Sequence, residues 1–318
     1  MSQTSLTVAL AQIAPVWFKR AETLVKVCQS IEKASNQGAG LVVFGEALVP
    51  GYPFWLELTG GAAFNDARQK AIQAEYIKQA VNIERGDLQC VCDCAKAGNI
   101  AVYLGVIERA SDRGGHSLYC SLIYIDQSGE IQSVHRKLMP TYEERLSWSI
   151  GDGHGLVTHS LEPFTLGGLN CWENWMPLAR ASLYGQGENL HVAVWPGSER
   201  NTADITPVIA KEGRSFVLSV SAIMRPQDAK HADIDIPEIL QSDKGWLANG
   251  GSCIAAPDGS WVLPPQTESE DIFIAELSFD KVLQERQNFD PAGHYSRPDV
   301  TQLIVNRSRQ STVKLVDK

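Results

Sequence analysis

The chain has 318 residues, 44% of them hydrophobic and 20% charged, which is ordinary for a globular protein with a substantial core. Its 28 Lys and Arg against 37 Asp and Glu give a formal net charge of -9, which argues against nucleic acid or an anionic membrane as the main partner. Seven cysteines, an odd count in a chain of this length, do not read as a disulfide framework, and no window approaches the ~18 apolar residues of a membrane span.

The N-terminal stretch MSQTSLTVALAQIAPVWF lacks a basic region and a long apolar core, so a cytoplasmic protein is expected. Residues 6–13 (LTVALAQI) then read as a strand. Residues 21–40 read as an amphipathic helix, with Leu24, Val27, Cys28 and Ile31 at helical spacing and glycine at the end. LVVF (41–44) and IAVYLGVIE (100–108) are buried strands. SLYCSLIYID (117–126) turns through QSGE into IQSVHRK, a hairpin. LHVAVWPG (190–197) and SFVLSVSAI (215–223) are strands with a helix between them. SCIAAPDGSWVL (252–263) is a second hairpin, and IFIAEL (272–277) the last clear strand. This alternation predicts a layered α/β architecture in which helices cover mixed sheets. No linker, composition break or repeat divides it, so residues 1–318 are expected to form a single domain. The long polar stretch 225–251 reads as a surface excursion near a site.

Three positions stand out chemically. Cys171 ends the segment FTLGGLNCW, just before a helix opened by Pro177; a thiol facing a helix N-terminus is favoured as thiolate. The bland alternative is a buried structural cysteine. Glu46 directly follows LVVF with apolar residues on both sides, where a carboxylate is costly unless paired, and desolvation would raise its pKa toward that of a general base. A helix-capping or ion-paired glutamate is the competing reading. Lys137 follows IQSVHR, with Glu144 seven residues beyond it; most surface lysines are merely solvated. Charged or nucleophilic residues at three strand ends, where α/β sheets collect their sites, are expected to converge.

With these motifs the sequence resembles the nitrilase superfamily of carbon–nitrogen hydrolases, whose signature is a Glu–Lys–Cys triad in that chain order, matched here by Glu46, Lys137 and Cys171. The resemblance runs from VALAQIAPVW to GHYSRPDVTQLIVNR (293–307), through HRKLMPT, GDG and HVAVWPG. CWEN followed by PLAR, with RKLMPT and ERL, looks like the nitrilase branch; amidase and carbamoylase branches carry Asp at the place of Glu173. Gly45 departs from the proline that many relatives have there. The resemblance implies an αββα sandwich with two mixed sheets flanked by helices. It implies hydrolysis of an organic nitrile through a cysteine thioimidate and thioester, with no metal or other cofactor, and Glu144 as an additional active-site glutamate. An amidase or carbamoyl hydrolase using the same triad, or a non-catalytic binding relative, are the alternatives.

Tyr52, Trp55, Trp148, Trp172, Glu173 and Trp195 are expected around the substrate, in an apolar pocket suited to an aromatic or bulky aliphatic nitrile. Ordinary packing is expected for about half of the aromatic residues. The run CVCDC (90–94) lacks a second ligand pair at zinc spacing, so its cysteines are expected in the core. The helix after Cys171 is broadly apolar, and the resemblance implies a homodimer or higher oligomer through it, with Arg180 or Tyr184 near the contact. Residues 293–318 are expected to extend onto a partner subunit.

Overall fold

Residues 4–234, 236–242 and 245–316 are described by the structure, a computed structural model. The chain opens with β1 (Ser5–Gln12), α1 (Arg20–Asn36) and β2 (Leu41–Phe44), followed by the helices α2 (Trp55–Leu58), α3 (Ala67–Gln79) and α4 (Gln89–Gly98). Next come β3 (Ala101–Arg109), the hairpin β4 (Leu118–Ile125) and β5 (Ile131–Arg136), then β6 (His159–Leu161) and β7 (Phe164–Asn170). The second half holds α5 (Pro177–Tyr184), β8 (Leu190–Trp195), α6 (Glu199–Thr202), α7 (Ile205–Gly213), β9 (Phe216–Ser221) and β10 (Ile223–Met224). It ends with α8 (Pro237–Leu240), β11 (Ala248–Ala255), β12 (Trp261–Thr267), β13 (Asp271–Ser278) and α9 (Phe279–Arg286).

Among the described residues the strands make two mixed sheets. One has the order β13-β1-β2-β3-β4-β5, with β1, β2 and β3 parallel and the others antiparallel to their neighbours. In the other, β6, β7, β8 and β9 lie side by side, β10 continues β9 along β11, and β12 covers the far edge of β11. The short run LVVF explains the layering. Leu41 and Val43 point into the apolar layer between the sheets, where they meet Val192, Val194, Leu218 and Val220. Val42 and Phe44 point the other way, into the layer under α1 and α4 with Leu24, Val27, Ile31, Val91 and Ala95. A strand buried on both faces has no polar alternation to show. The outer face of the second sheet is covered by α7 through Ile205 and Ile209, and by α5 through Ala179 and Leu183. The result is the expected αββα sandwich.

The structure departs from expectation at α3 and at the CVCDC cysteines. Helix α3 was not anticipated, because only Ile72 and Tyr76 of its 13 residues are buried; Asp66 caps it by accepting from the Gln69 amide at 2.9 Å. Of the three CVCDC cysteines, Cys92 lies in the core and half-buried Cys94 packs against it, while Cys90 is exposed. Within the chain, Arg180 pairs with Glu212 at 2.6 Å, and the Tyr184 hydroxyl donates to the same carboxylate at 2.9 Å. The C-terminal stretch docks in part on its own chain. Val305 packs against the Leu156–Leu183 cluster, Arg309 pairs with Asp152 at 3.0 Å and the Gln310 amide donates to Asp152 at 2.9 Å, while Ile304 and Leu315 stay exposed. No described helix is long and apolar enough to cross a membrane.

Where β2 ends, two glycines let the backbone pack without side chains. A Cβ on Gly45 would lie 2.5 Å from the Ala222 nitrogen, and one on Gly105 would lie 2.2 Å from the Gly45 carbonyl and 2.7 Å from the Glu46 Cα. The Glu46 amide also donates to the Trp195 carbonyl at 3.0 Å, tying the first sheet to the end of β8. Gly105→Ala is therefore expected to cost about 1–3 kcal/mol of stability through overpacking, and to lower turnover by shifting Glu46. Chemical denaturation and an activity assay on the same preparation check this; a variant as stable and active as the parent would show that the contact does not hold Glu46.

Candidate active site

Glu46 follows β2, Lys137 follows β5 and Cys171 follows β7, and the structure brings these three strand ends together with Glu144. The Lys137 ammonium donates to Glu46 Oε1 at 2.9 Å and to Glu144 Oε2 at 2.7 Å. The Cys171 sulfur and one oxygen from each carboxylate all lie within 4.8 Å of one another. All four side chains are buried.

Each is held by its local backbone. The Lys137 amide donates to the Cys120 carbonyl at 2.7 Å, and its carbonyl accepts from Gly151 at 2.9 Å, which fixes the chain as it leaves β5. Glu144 lies on a 3-10 turn, Tyr142–Leu146, closed by a reciprocal cap with Thr141. Its Oε2 accepts the Thr141 amide at 2.6 Å, and its Oε1 accepts the Tyr52 hydroxyl at 2.9 Å. Cys171 has φ 47°, the left-handed region that non-glycine residues seldom adopt, and Ala47 beside Glu46 has φ 52°. This backbone reverses the chain sharply at the end of β7, so that the thiol faces the cavity as a second 3-10 turn, Cys171–Trp175, begins.

The electrostatics correct one expectation. Cys171 lies six residues before α5, and no regular α-helix starts at its sulfur. Burial pushes its thiol well above the usual value, and the nearby Glu46 and Glu144 charges push it further; Lys137 and a hydrogen bond from the Trp172 amide offset this only in part. At rest the group is a thiol. Burial also raises the Glu46 carboxyl to about 7: the Lys137 charge opposes the shift and the Glu144 charge adds to it. Burial works against the charge on Lys137, but Glu46, Cys171 and Glu144 outweigh it, and the ammonium is held well above its ordinary value.

A cavity of about 660 Å³ opens over Cys171. Tyr52, Phe54, Leu58, Trp172 and Leu247 supply apolar wall, and Glu57, Glu143, Arg200 and Asn201 make it more polar than expected. Tyr52 and Trp172 stand where the sequence put them. Four other expected pocket residues do not line it. Trp55 packs with Trp17, Phe18 and Tyr76 in an aromatic cluster beneath α2. Trp148 backs the site: its ring lies 5.5 Å from the Lys137 ammonium and edge-on to Tyr52. Trp195 is fully buried behind Cys171 and contributes its carbonyl instead. Glu173 is occupied elsewhere. Its carboxylate accepts from His135 Nε2 at 3.0 Å, from the Asn170 amide at 2.8 Å and from the Leu138 amide at 2.5 Å. Burial alone would raise its pKa; His135 and the two amides outweigh that and leave it lowered. Glu173 thus ties the ends of β5 and β7 together.

One contributor escaped sequence reading. Cys120 Sγ donates to Glu46 Oε1 at 3.4 Å, from a strand whose apolar run gave no hint of it. The stretch 225–251 does reach the site, through Leu247 and Ala248.

Residues 7–287 match the model of the carbon–nitrogen hydrolase family. The chain is 36% identical over 315 residues to a nitrilase of Pseudomonas syringae pv. syringae (strain B728a), covering 95% of this chain and 90% of that protein. It is 34% identical over 318 residues to an aliphatic nitrilase of Sinorhizobium fredii (strain HH103), covering 98% of each. Among solved structures, an amidase of the nitrilase superfamily from Nesterenkonia AN1 superposes with a TM-score of 0.65 at 17% identity, covering 90% of this chain and 96% of that one, a likeness of fold. The chain therefore belongs to the carbon–nitrogen hydrolase family, in its nitrilase branch.

Proposed function

We propose that the protein hydrolyses an organic nitrile to the carboxylic acid and ammonia, with Cys171 as nucleophile, Glu46 as general base, and Lys137 and Glu144 as the charged pair that orients and stabilises. The observation that carries this reading is the buried contact of one ammonium with two carboxylates beside a thiol, on the wall of a cavity sized for a small molecule. The names of the relatives favour a nitrile over an amide.

In this mechanism Glu46 takes the Cys171 proton as the sulfur attacks the nitrile carbon. The proton passes to the nitrile nitrogen, giving a thioimidate. A water, deprotonated by Glu46, adds to the same carbon, and ammonia leaves to give a thioester. A second water releases the acid and restores the thiol. Lys137 donates to the charge that develops on the substrate heteroatom. Glu144, fixed by Tyr52 and the Thr141 amide, holds the lysine in place. The facing carboxylate oxygens are bridged by the ammonium, so the reading assigns no metal a role.

We further propose a homo-oligomer that meets through the surface around α5, where Trp175, Met176 and Leu178 are exposed. Seven free cysteines suit a cytoplasmic setting.

Cys171→Ala is expected to abolish turnover. Glu46→Gln is expected to lower it by roughly 10²–10⁴, the worth of a general base, in protein that circular dichroism finds folded; a mild effect removes Glu46 from that role. Because the base must be deprotonated, kcat/KM should rise with pH through about 7, and a profile flat from pH 5 to 9 would contradict the assignment. A panel of nitriles and matching amides, read by ammonia release, should favour nitriles and be unaffected by EDTA; turnover of amides alone would make the protein an amidase. Sedimentation at micromolar concentration should find an oligomer that a charge at Leu178 dissociates.

A further inference from the structure

A second group of thiols lies away from the candidate site, on the outer helical layer. Cys90 and Cys94 stand one turn apart on α4 and so project from the same face. That face meets Cys28 on α1, and the Cys28 thiol is within hydrogen-bonding reach of both. All three line a surface cavity of about 710 Å³ between the two helices. Their exposure is graded: Cys90 is exposed, while Cys28 and Cys94 are half-buried.

The three sulfurs are not equivalent. Cys90 is the second residue of α4, in its first turn. Hydrogen bonding from Cys28 lowers the Cys90 thiol to about 6; burial opposes this, and the amides of Val91 and of Cys90 itself reinforce it. Cys28 is pushed up by its contact with Cys90 and by burial. The pair thus sets an exposed thiol whose pKa is lowered beside a half-buried thiol whose pKa is raised. An accessible low-pKa thiolate next to a resolving thiol is the arrangement that oxidation chemistry selects. Cys92, on the opposite side of α4, is buried and pushed up to about 11.

We propose that Cys90 and Cys28 form a peroxide-responsive dithiol pair that closes to a disulfide joining α4 to α1. The Cys90 thiolate attacks one oxygen of hydrogen peroxide. The O–O bond breaks, sulfur becomes a sulfenic acid, and the other oxygen leaves as hydroxide, which takes up a proton to become water. The Cys28 sulfur then attacks the Cys90 sulfur; the S–S bond forms, the S–O bond breaks, and the departing hydroxide carries off the Cys28 proton as a second water. Two thiols have lost two electrons and peroxide has gained them, and a dithiol reductant reverses the change. The pair is independent of the hydrolytic reaction.

The test uses the full chain as Cys171→Ala, so that the site thiol cannot consume the oxidant, with the unsubstituted protein run in parallel. After limited hydrogen peroxide, free thiols are alkylated under denaturing conditions and the peptides are mapped. The expected result is one intramolecular link, Cys28 to Cys90, removed by dithiothreitol. Cys28→Ser should leave Cys90 as a sulfenic acid that dimedone traps, and Cys94→Ser should leave the link intact. Without peroxide, iodoacetamide at pH 7 should label Cys90 at least tenfold faster than Cys92 or Cys253. A link through Cys94, a link only between two chains, no link in protein with native circular dichroism, or equal labelling of Cys90 and Cys92 would each overturn the proposal.

Discussion

The contact on which the rest of the site depends is the Lys137 ammonium buried between Glu46 and Glu144. Three ions in a dry interior are costly one by one, and removing a single member of such a group commonly costs about 3–5 kcal/mol because the others are left unpaired. Two carboxylates against one ammonium also leave an excess of negative charge. That excess is why the Cys171 thiol is driven up and the Glu46 carboxyl rises with it. A second anion at sulfur is therefore disfavoured beside the two carboxylates.

This arrangement makes demands on the scaffold. Glu46 can reach Lys137 only because Gly45 and Gly105 allow the end of β2 to press against its neighbour strand and the second sheet. Glu173 performs the matching task on the other side, joining the Asn170 and Leu138 amides and the His135 ring, so that the ends of β5 and β7 cannot drift apart. Tyr52 and Thr141 hold Glu144 from the cavity side. The two sheets meet through an apolar layer that has no directional preference of its own, and these few polar links near the strand ends supply direction.

The cavity combines an apolar wall with the charged groups Glu57, Glu143 and Arg200. Tyr52 belongs to both parts, with its ring toward the cavity and its hydroxyl on Glu144. The aromatic residues that do not reach the cavity still matter to it: Trp148 places a ring near the ammonium, and Trp195 lends its carbonyl to the Glu46 amide. On the opposite face of the first sheet, α1 and α4 carry their own set of thiols, graded in exposure and in acidity.

Much was legible in the sequence. LVVF, SLYCSLIYID and LHVAVW are strands because local apolar runs and turn residues dictate them, and chain order with the triad motif was enough for the family and its sandwich. Glu46, Lys137 and Cys171 were legible because each interrupts or ends an apolar run with a group that such a run does not tolerate without a partner. Which way a side chain faces was not legible, since the same residue types serve core and cavity. Trp55 went to packing, Glu173 to backbone amides, and Cys120 to the Glu46 carboxylate. The state of the Cys171 thiol was also out of reach. It depends on charges contributed by residues 125 and 27 positions away in the chain (171 − 46 and 171 − 144), and only the folded sheets bring them within 4.8 Å. Sequence determined which groups were available; tertiary structure decided their partners, because burial and charge act through distance in space.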